Sequence, residues 1–399
     1  MLLETFYNGI EVHRNEKIIV VRFLAPHRVI STCRANGGLR DDLDLIFNHQ
    51  SCEPTGHTRK SHTMAVHEPR VYLRQICSQH EFSENCASLG TAANMNCAAV
   101  ESEIFRDLEV VAICTGGVET NAGRAGDPAS VCEESGRFMP VSGTISQSEK
   151  EKCVAAEARG DGGTINIIVC INRKLTPGAM VRSVMTATEA KTAVLQELNV
   201  NSRYSQGLAT GTGTDQIAVA SVLTGEPPLT SAGKHSKLGE LIGLTVKKAV
   251  AGTLSLQNGM SPQSRCSTMV HIERFSTDTQ AVEVGIRKYL ATDSGELLSR
   301  NFECIDRDPI TVAAVAALVH LRDKLCWQIL PESCVPEIFS TYGAHLAAAV
   351  SGKYERFMSY KGRLNDRRFS LEDTAFVDFI CFCMAMGFEE KWETMRLRE

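Results

Sequence analysis

The chain reads as an α/β protein: a mixed β-sheet with packed helices over residues 1–255, then a smaller, mainly helical domain over residues 256–399. Three observations predict this. Buried-strand runs such as 109–115 (EVVAICT) and 164–171 (TINIIVCI) alternate with helical periodicity in the centre of the chain. Strands and helices do not alternate at the N-terminus, which favours a mixed sheet over a purely parallel one. Past Asn258-Gly259-Met260-Ser261-Pro262 the apolar spacing becomes mostly helical. A length of 399 residues is long for one core and fits a large domain plus a small one.

Bulk composition excludes several classes. Hydrophobic residues make up 43% and charged residues 22%, with a net charge of −5 and both signs interspersed. That balance advertises neither a nucleic-acid groove nor a polybasic membrane patch. The longest apolar run, 312–321, is too short to span a bilayer and is followed by Arg322, Asp323 and Lys324. The first residues lack a basic segment followed by an apolar run, so a cytoplasmic setting is expected. The 15 cysteines are odd in number and sit mostly in apolar company, which reads as reduced, buried thiols.

Taken in order, 17–24 (KIIVVRFL) and 28–33 predict two strands. Asn36-Gly37-Gly38 marks a turn, and 39–49 (LRDDLDLIFNH) predicts a short helix with Leu43, Ile46 and Phe47 toward a core. Asp41, Asp42 and Asp44 would complement its dipole. Asn48 and His49 at its end are candidate binding residues. His57, His62 and His67 follow at equal spacings of five. On a helix that spacing fans the rings around the axis, unlike the pairs zinc uses. No metal or other cofactor is therefore predicted, and a metal-assisted reaction stays an open alternative. Asn94 and Asn96 would cap a turn or hold a polar ligand.

The strand 109–115 delivers the chain into 116–128 (GGVETNAGRAGDP), whose glycines let backbone amides approach a ligand. Glu119, Asn121, Arg124 and Asp127 lie among them, and the dinucleotide-binding glycine pattern is absent. Either a ligand loop or a structural loop with an internal Arg–Asp pair fits. Residues 130–163 are polar and acidic, with room for a short strand or helix.

After strand 164–171, Thr176 as N-cap and Pro177 at the first position open a long helix. Met180, Val181, Val184, Ala187, Leu195 and Leu198 share one face, and Lys191 lies on that same face. A lysine centred on an apolar stripe costs several kcal/mol unless it is paired, loses its charge or snorkels to water. It is accordingly read as buried and paired, or functional. Residues 209–215 (ATGTGTD) then place Thr210, Thr212, Thr214 and Asp215 on a glycine hinge before strand 216–222. Gly233-Lys234-His235 lacks the spacing of a phosphate loop, and Ser236 opens a helix carrying Leu238, Leu241, Ile242, Thr245 and Ala249 on one face. In the C-terminal part, two strands are expected near 269–275 and 281–286. Helices follow over 311–324 and 335–350, and a third is opened by the capping pair Ser370 and Asp373. No catalytic signature is legible there, so an accessory or interface role is expected and self-association stays open.

These segments, in this order, resemble the adenosylcobinamide amidohydrolase family of corrinoid salvage. The resemblance is carried by 36–50 (NGGLRDDLDLIFNHQ), Thr91 to Met95 (TAANM), 114–128 and 163–169. It continues through 175–198 with TATEAK, 209–215 (ATGTGTD) and 233–243 (GKHSKLGELIG), and spans roughly residues 15–250. It implies hydrolysis of the amide joining aminopropanol to the corrin ring, giving adenosylcobyric acid and 1-amino-2-propanol. A corrinoid is then the substrate, with no nucleic-acid or membrane partner. The alternatives are a non-catalytic corrinoid carrier or sensor, or an amidohydrolase acting on a complete cobamide. Amide hydrolysis needs a nucleophile, an oxyanion stabiliser and an acid. Thr212 or Thr214 with Lys191 as base is one scheme; water activated by Asp215 or Glu119, with Lys191 on the oxyanion, is the other. Asn121 and the amides of Gly116 and Gly117 would add oxyanion donors. Arg124, Asn48, His49 and His235 are cast as binding peripheral corrin amides. Both glycine loops are expected to face each other across a corrin-sized cleft above Lys191. Gly-Thr pairs at 143–144, 163–164 and 211–212 also admit self-cleavage to free a threonine.

Overall fold

Runs of β-branched and small apolar residues, cut by Asn, Gly and Pro, make the first half of the chain mostly strand. The computed structural model describes residues 1–52, 60–135, 137–141, 163–225, 227–365 and 367–392. The chain opens with β1 (Leu2–Phe6), β2 (Ile10–Asn15), β3 (Ile18–Phe23), β4 (His27–Ser31), β5 (Gly38–Arg40) and β6 (Leu45–Gln50). Helices α1 (Lys60–His67) and α2 (Pro69–His80) lead to β7 (Cys86–Thr91), β8 (Ala99–Phe105) and β9 (Leu108–Thr115). The short β10 (Ala122–Gly123) and a hairpin of β11 (Val131–Glu134) and β12 (Arg137–Pro140) follow. Then come β13 (Asn166–Ile171), α3 (Pro177–Glu197), β14 (Gly211–Thr212), β15 (Gln216–Val222) and α4 (Lys237–Asn258).

Two mixed sheets result. One has the order β1-β2-β3-β6-β7, antiparallel except for β6 and β7; the other has the order β5-β4-β15-β13-β9-β8, antiparallel except for β13 and β15. Alternation at period two then decides the layering. Ile19, Val21, Ile46, Ala87 and Leu89 of the first sheet share a core with Val111, Ile113, Ile168, Cys170, Ala218 and Ala220 of the second. Their neighbours turn outward: Ile18, Val20, Leu45 and Phe47 pack on Tyr72, Leu73 and Ile76 of α2. On the far side, Val110, Ala112, Ile167, Val169 and Val219 pack on Met180, Ala187 and Leu195 of α3 and on Leu241, Ile242 and Val250 of α4. The order of layers is helix, sheet, sheet, helices. Truncating a fully buried leucine such as Leu195 would cost about 2–5 kcal/mol.

The expected helix over 39–49 is instead β5 and β6, because Leu45 and Phe47 bury one face while Ile46 and Asn48 bury the other. Burial on both faces writes a continuous apolar run, which periodicity alone does not separate from a helix. The strand at 164–171 begins only at Asn166, which frees residues 163–165 for the site. The long helix starts as expected: Thr176 Oγ1 accepts from the Ala179 amide, and Pro177 holds the first position. Ser236 caps α4 by accepting from Gly239.

The chain divides into units Met1–Ser261 and Pro262–Glu399. Among its described residues the second unit is helical. The segments expected as strands are helices Thr268–Ile272 and Thr279–Arg287, capped by Ser267 and Asp278. Those two caps were the overlooked signal. Helices Pro309–Cys326 and Val335–Ser351 match their expected positions. Asp373–Lys391 forms without the capping pair: Glu372 holds the N-cap with no side-chain bond, and Asp373 binds Arg322 instead. Gly343 and Gly387 let this helix and Val335–Ser351 approach closely, since a Cβ on Gly343 would lie 2.6 Å from the Phe379 ring. No helix among the described residues is long and apolar enough to cross a membrane.

Candidate active site at the strand ends

Register brings three strand ends together. Thr115 closes β9 opposite Asn166, which opens β13, and Asn166 lies beside Gln216, which opens β15. Loops 116–128, 163–165 and 209–215 therefore share one edge of the second sheet. The first and last are joined directly rather than held apart. Ala122 pairs with Thr212 and Gly123 with Gly211, and the Thr210 amide donates to the Gly123 carbonyl at 2.8 Å. The expected cleft between these two loops is a two-residue ladder.

Lys191 reaches this edge from α3. It is 7% exposed, and its Nζ donates to Asp215 Oδ2. Asp215 accepts three further bonds: from the Thr212 amide at 3.0 Å, Thr212 Oγ1 at 2.6 Å and the Ile165 amide at 2.8 Å. A carboxylate with four donors is fixed in position and acts only as an acceptor. Lys191 touches neither hydroxyl of the expected schemes; the direct partner of Thr212 is Asp215. Gly211 is required here, because a Cβ would lie 2.5 Å from Asp215 Oδ2 and 2.7 Å from Lys191 Nζ.

A second cluster adjoins the first. Asn121 Nδ2 donates to the Gly163 carbonyl at 2.9 Å and to Thr214 Oγ1 at 3.3 Å, while its Oδ1 accepts from the Tyr204 hydroxyl at 2.9 Å. That last bond fixes which way the amide points. Thr214 Oγ1 donates to the Gly163 carbonyl at 3.3 Å and bonds Thr164 Oγ1 at 2.6 Å. Tyr204 and the Ile165 amide were missed in the sequence, where Thr164 entered only as half of a Gly-Thr pair. Tyr204 lacks a motif, and Thr164 and Ile165 read as strand.

The other expected site residues divide clearly. Asn48 is buried in an inter-sheet network: it donates to Thr115 Oγ1 at 2.7 Å and accepts from Asn166 Nδ2 at 2.9 Å. The Gly90 amide donates to Gln216 Oε1 at 2.8 Å in the same region. His49, one residue on, faces the α2 side, where its Nδ1 bonds the Tyr72 hydroxyl and its ring lies 6.5 Å from His80. Neither is presented as a free ligand donor. The Gly116 amide is spent on Thr253 Oγ1 at 2.9 Å and the Gly117 amide on the Thr164 carbonyl at 3.2 Å, so neither serves as an oxyanion donor in this state. Arg124 is exposed and donates to the Leu208 carbonyl at 3.1 Å, while Asp127 accepts from the Arg124 amide at 2.7 Å and from Ser202 Oγ at 2.6 Å. Glu119 is exposed. His235 is exposed on a loop tied to α3 through Thr186 Oγ1 to the Ala232 carbonyl, 2.8 Å, and Lys234 to Glu189, 2.5 Å.

Cysteines near these strands are poor nucleophiles. Burial pushes the thiols of Cys114 and Cys170 far up, and that of Cys33 to about 11. Of the evenly spaced histidines, His57 lies outside the described residues. His62 and His67 sit on α1, with His62 Nδ1 3.4 Å from Cys52 Sγ. Among the described residues no three His, Cys, Asp or Glu side chains gather to hold a metal ion.

Fold and site together define a mixed α/β domain with one polar centre, in which a buried lysine–carboxylate pair and hydroxyls meet at strand ends. The sequence profile of the adenosylcobinamide amidohydrolase family matches residues 3–262, and the chain belongs to that family. It is 33% identical over 246 residues to the uncharacterized protein MJ1613 of Methanocaldococcus jannaschii, a match covering 61% of this chain and 87% of that relative. The crystal structure of the PH0078 protein of Pyrococcus horikoshii OT3 overlaps with a TM-score of 0.31 at 12% identity, over 62% of this chain and 85% of that one.

Proposed function

We propose that this chain hydrolyses the aminopropanol amide of adenosylcobinamide, giving adenosylcobyric acid and 1-amino-2-propanol. The observation that carries the chemistry is the 2.6 Å bond from Thr212 Oγ1 to Asp215 Oδ1, with Lys191 on the other carboxylate oxygen. Family membership supplies the substrate class. In this reading Asp215 takes the Thr212 proton as the hydroxyl attacks the amide carbon. The proton passes to the leaving nitrogen, the C–N bond breaks, and 1-amino-2-propanol departs. Water then hydrolyses the resulting ester, returning the proton to Thr212 and releasing the acid. Lys191 is a positioning residue: it holds Asp215 with one oxygen toward Thr212. Asn121 and Thr214, once they exchange the Gly163 carbonyl for the substrate's, are the donors for the oxyanion. In the same reading Arg124, Glu119 and His235 bind the peripheral amides of the corrin; their exposure on the two loops and before α4 supports this.

Chromatography of adenosylcobinamide incubated with the protein tests this reading. A new, more acidic corrinoid with an equal amount of 1-amino-2-propanol is the expected result. Unchanged corrinoid retained by the protein would instead identify a carrier or sensor. Running the same assay with a complete cobamide determines the preferred substrate.

A further inference from the structure

One polar contact of the second cluster is not used by the proposed reaction. The carbonyl oxygen that occupies Asn121 and Thr214 belongs to the chain itself, at Gly163. Two donors on one peptide carbonyl, 2.9 and 3.3 Å away, form the arrangement that stabilises a tetrahedral oxyanion. The next residue carries a buried hydroxyl, Thr164 Oγ1. Either hydroxyl of the 2.6 Å Thr164–Thr214 pair can donate. When the single Thr214 proton is turned to the Gly163 carbonyl, Thr164 is the donor and Thr214 the acceptor. The bonds then run from Thr164 Oγ1 to Thr214 Oγ1 to the Gly163 oxygen. The acyl side of this peptide is held closely by backbone: a Cβ on Gly163 would lie 2.4 Å from the Gly117 carbonyl oxygen, so only glycine fits there.

We propose that the chain cleaves its own Gly163–Thr164 peptide bond, with Thr164 Oγ1 as nucleophile and Asn121 and Thr214 holding the carbonyl oxygen. A hydroxyl attacks the carbonyl carbon preceding its own residue through a five-membered ring. The Oγ1–C bond forms, and the C–N bond to Thr164 breaks. The hydroxyl proton passes through Thr214 to the Gly163 oxygen and, as the tetrahedral intermediate collapses, is given up to the departing nitrogen, leaving Gly163 esterified to the Thr164 side chain. Water hydrolyses that ester, yielding a Gly163 carboxylate and a Thr164 that carries a free hydroxyl and a free α-amine. Such an amine is the internal base that activates an N-terminal threonine. Departure of the Gly163 carbonyl also frees Asn121 and Thr214 for the carbonyl of a bound amide. This last consequence rests on the amidohydrolase reading; the cleavage itself does not.

Intact-mass measurement of the full chain, kept at neutral pH without any corrinoid, tests the proposal. Two fragments, 1–163 and 164–399, are expected, together heavier than the 43.6 kDa chain by one water. Thr164→Ala remains one chain and Thr164→Ser still cleaves, which guards against a variant that merely misfolds. Asn121→Ala slows cleavage roughly 100-fold, the cost of one oxyanion donor. A wild-type chain that stays whole overturns the proposal, and so does cleavage at the same bond in Thr164→Ala. With no corrinoid present, either result leaves amide hydrolysis to its own assay.

Discussion

Two buried ion pairs in this molecule have opposite surroundings. Lys191 and Asp215 meet at the edge of the second sheet, where the carboxylate also receives a threonine hydroxyl and two backbone amides from glycine-bounded loops. Arg322 and Asp373 meet in the helical unit at 2.6 Å, with the Arg322 guanidinium 4.4 Å from the Phe275 ring centroid and 5.2 Å from that of Phe376. Arg322 is 3% exposed and also donates to the Leu371 carbonyl. Burial raises the Asp373 carboxyl despite its arginine, whose charge pulls it the other way. Burial of a charge pair therefore does not by itself mark chemistry. What distinguishes the first pair is a threonine hydroxyl and two loop amides on the carboxylate, where the second has aromatic rings over its guanidinium. The second is a structural clamp, which orients the start of Asp373–Lys391 and holds apolar rings around it.

Substitutions at the two pairs should separate these roles. The largest effect is expected from Asp215→Asn, which removes the acceptor for Thr212 at nearly unchanged volume. A fall of about 10²- to 10⁴-fold in kcat for corrinoid hydrolysis is expected, with the fold retained by circular dichroism. Lys191→Met should lower kcat by a similar factor, because Asp215 loses the bond that orients it. Full activity in a folded Lys191→Met protein would remove the pair from the mechanism. By contrast, Arg322→Met should leave hydrolysis intact while destabilising the helical unit by about 1–3 kcal/mol, because it leaves the half-buried Asp373 carboxyl and the Leu371 carbonyl without their donor. Denaturant unfolding of that unit reads this loss, and a parallel loss of kcat would break the contrast.

A pH titration sharpens the comparison from the helical side. Burial, then the charges of Arg265 and Arg274, push His271 down to about 4 from its ordinary 6.5. The folded unit thus binds fewer protons than the unfolded chain between those values. The contribution of His271 to stability is fully present above pH 6.5 and is lost as pH falls through about 4. The smallest effect is expected at the rim: Tyr204→Phe removes one bond to Asn121 and should lower kcat/KM about three- to tenfold.

Much of this organisation was legible in the sequence. Thr176-Pro177 announced α3, and the periodicity of that helix put Lys191 on its apolar face, because both signals are local. Asp215 was legible as a candidate but not as the lysine's partner, since the bond spans 24 residues and depends on how the loop folds back. Asn48 and His49 were both read as candidate binding residues. Alternation along β6 turns them to opposite faces, and Asn48 finds its partner 118 residues away in Asn166. Gly116 and Gly117 looked like free amide donors because glycine loops often are; Thr253, on a helix 137 residues further on, takes the first. Local chemistry could be read from spacing, whereas consumption of a donor by a distant partner could not.

The most direct test is the rate of 1-amino-2-propanol release from adenosylcobinamide, measured side by side for the wild-type chain and Asp215→Asn. Steady release by the wild type and at least a 100-fold slower rate in the variant, with matching melting temperatures, are expected. A wild type that returns adenosylcobinamide unchanged, or a variant that keeps the wild-type rate, would contradict that expectation.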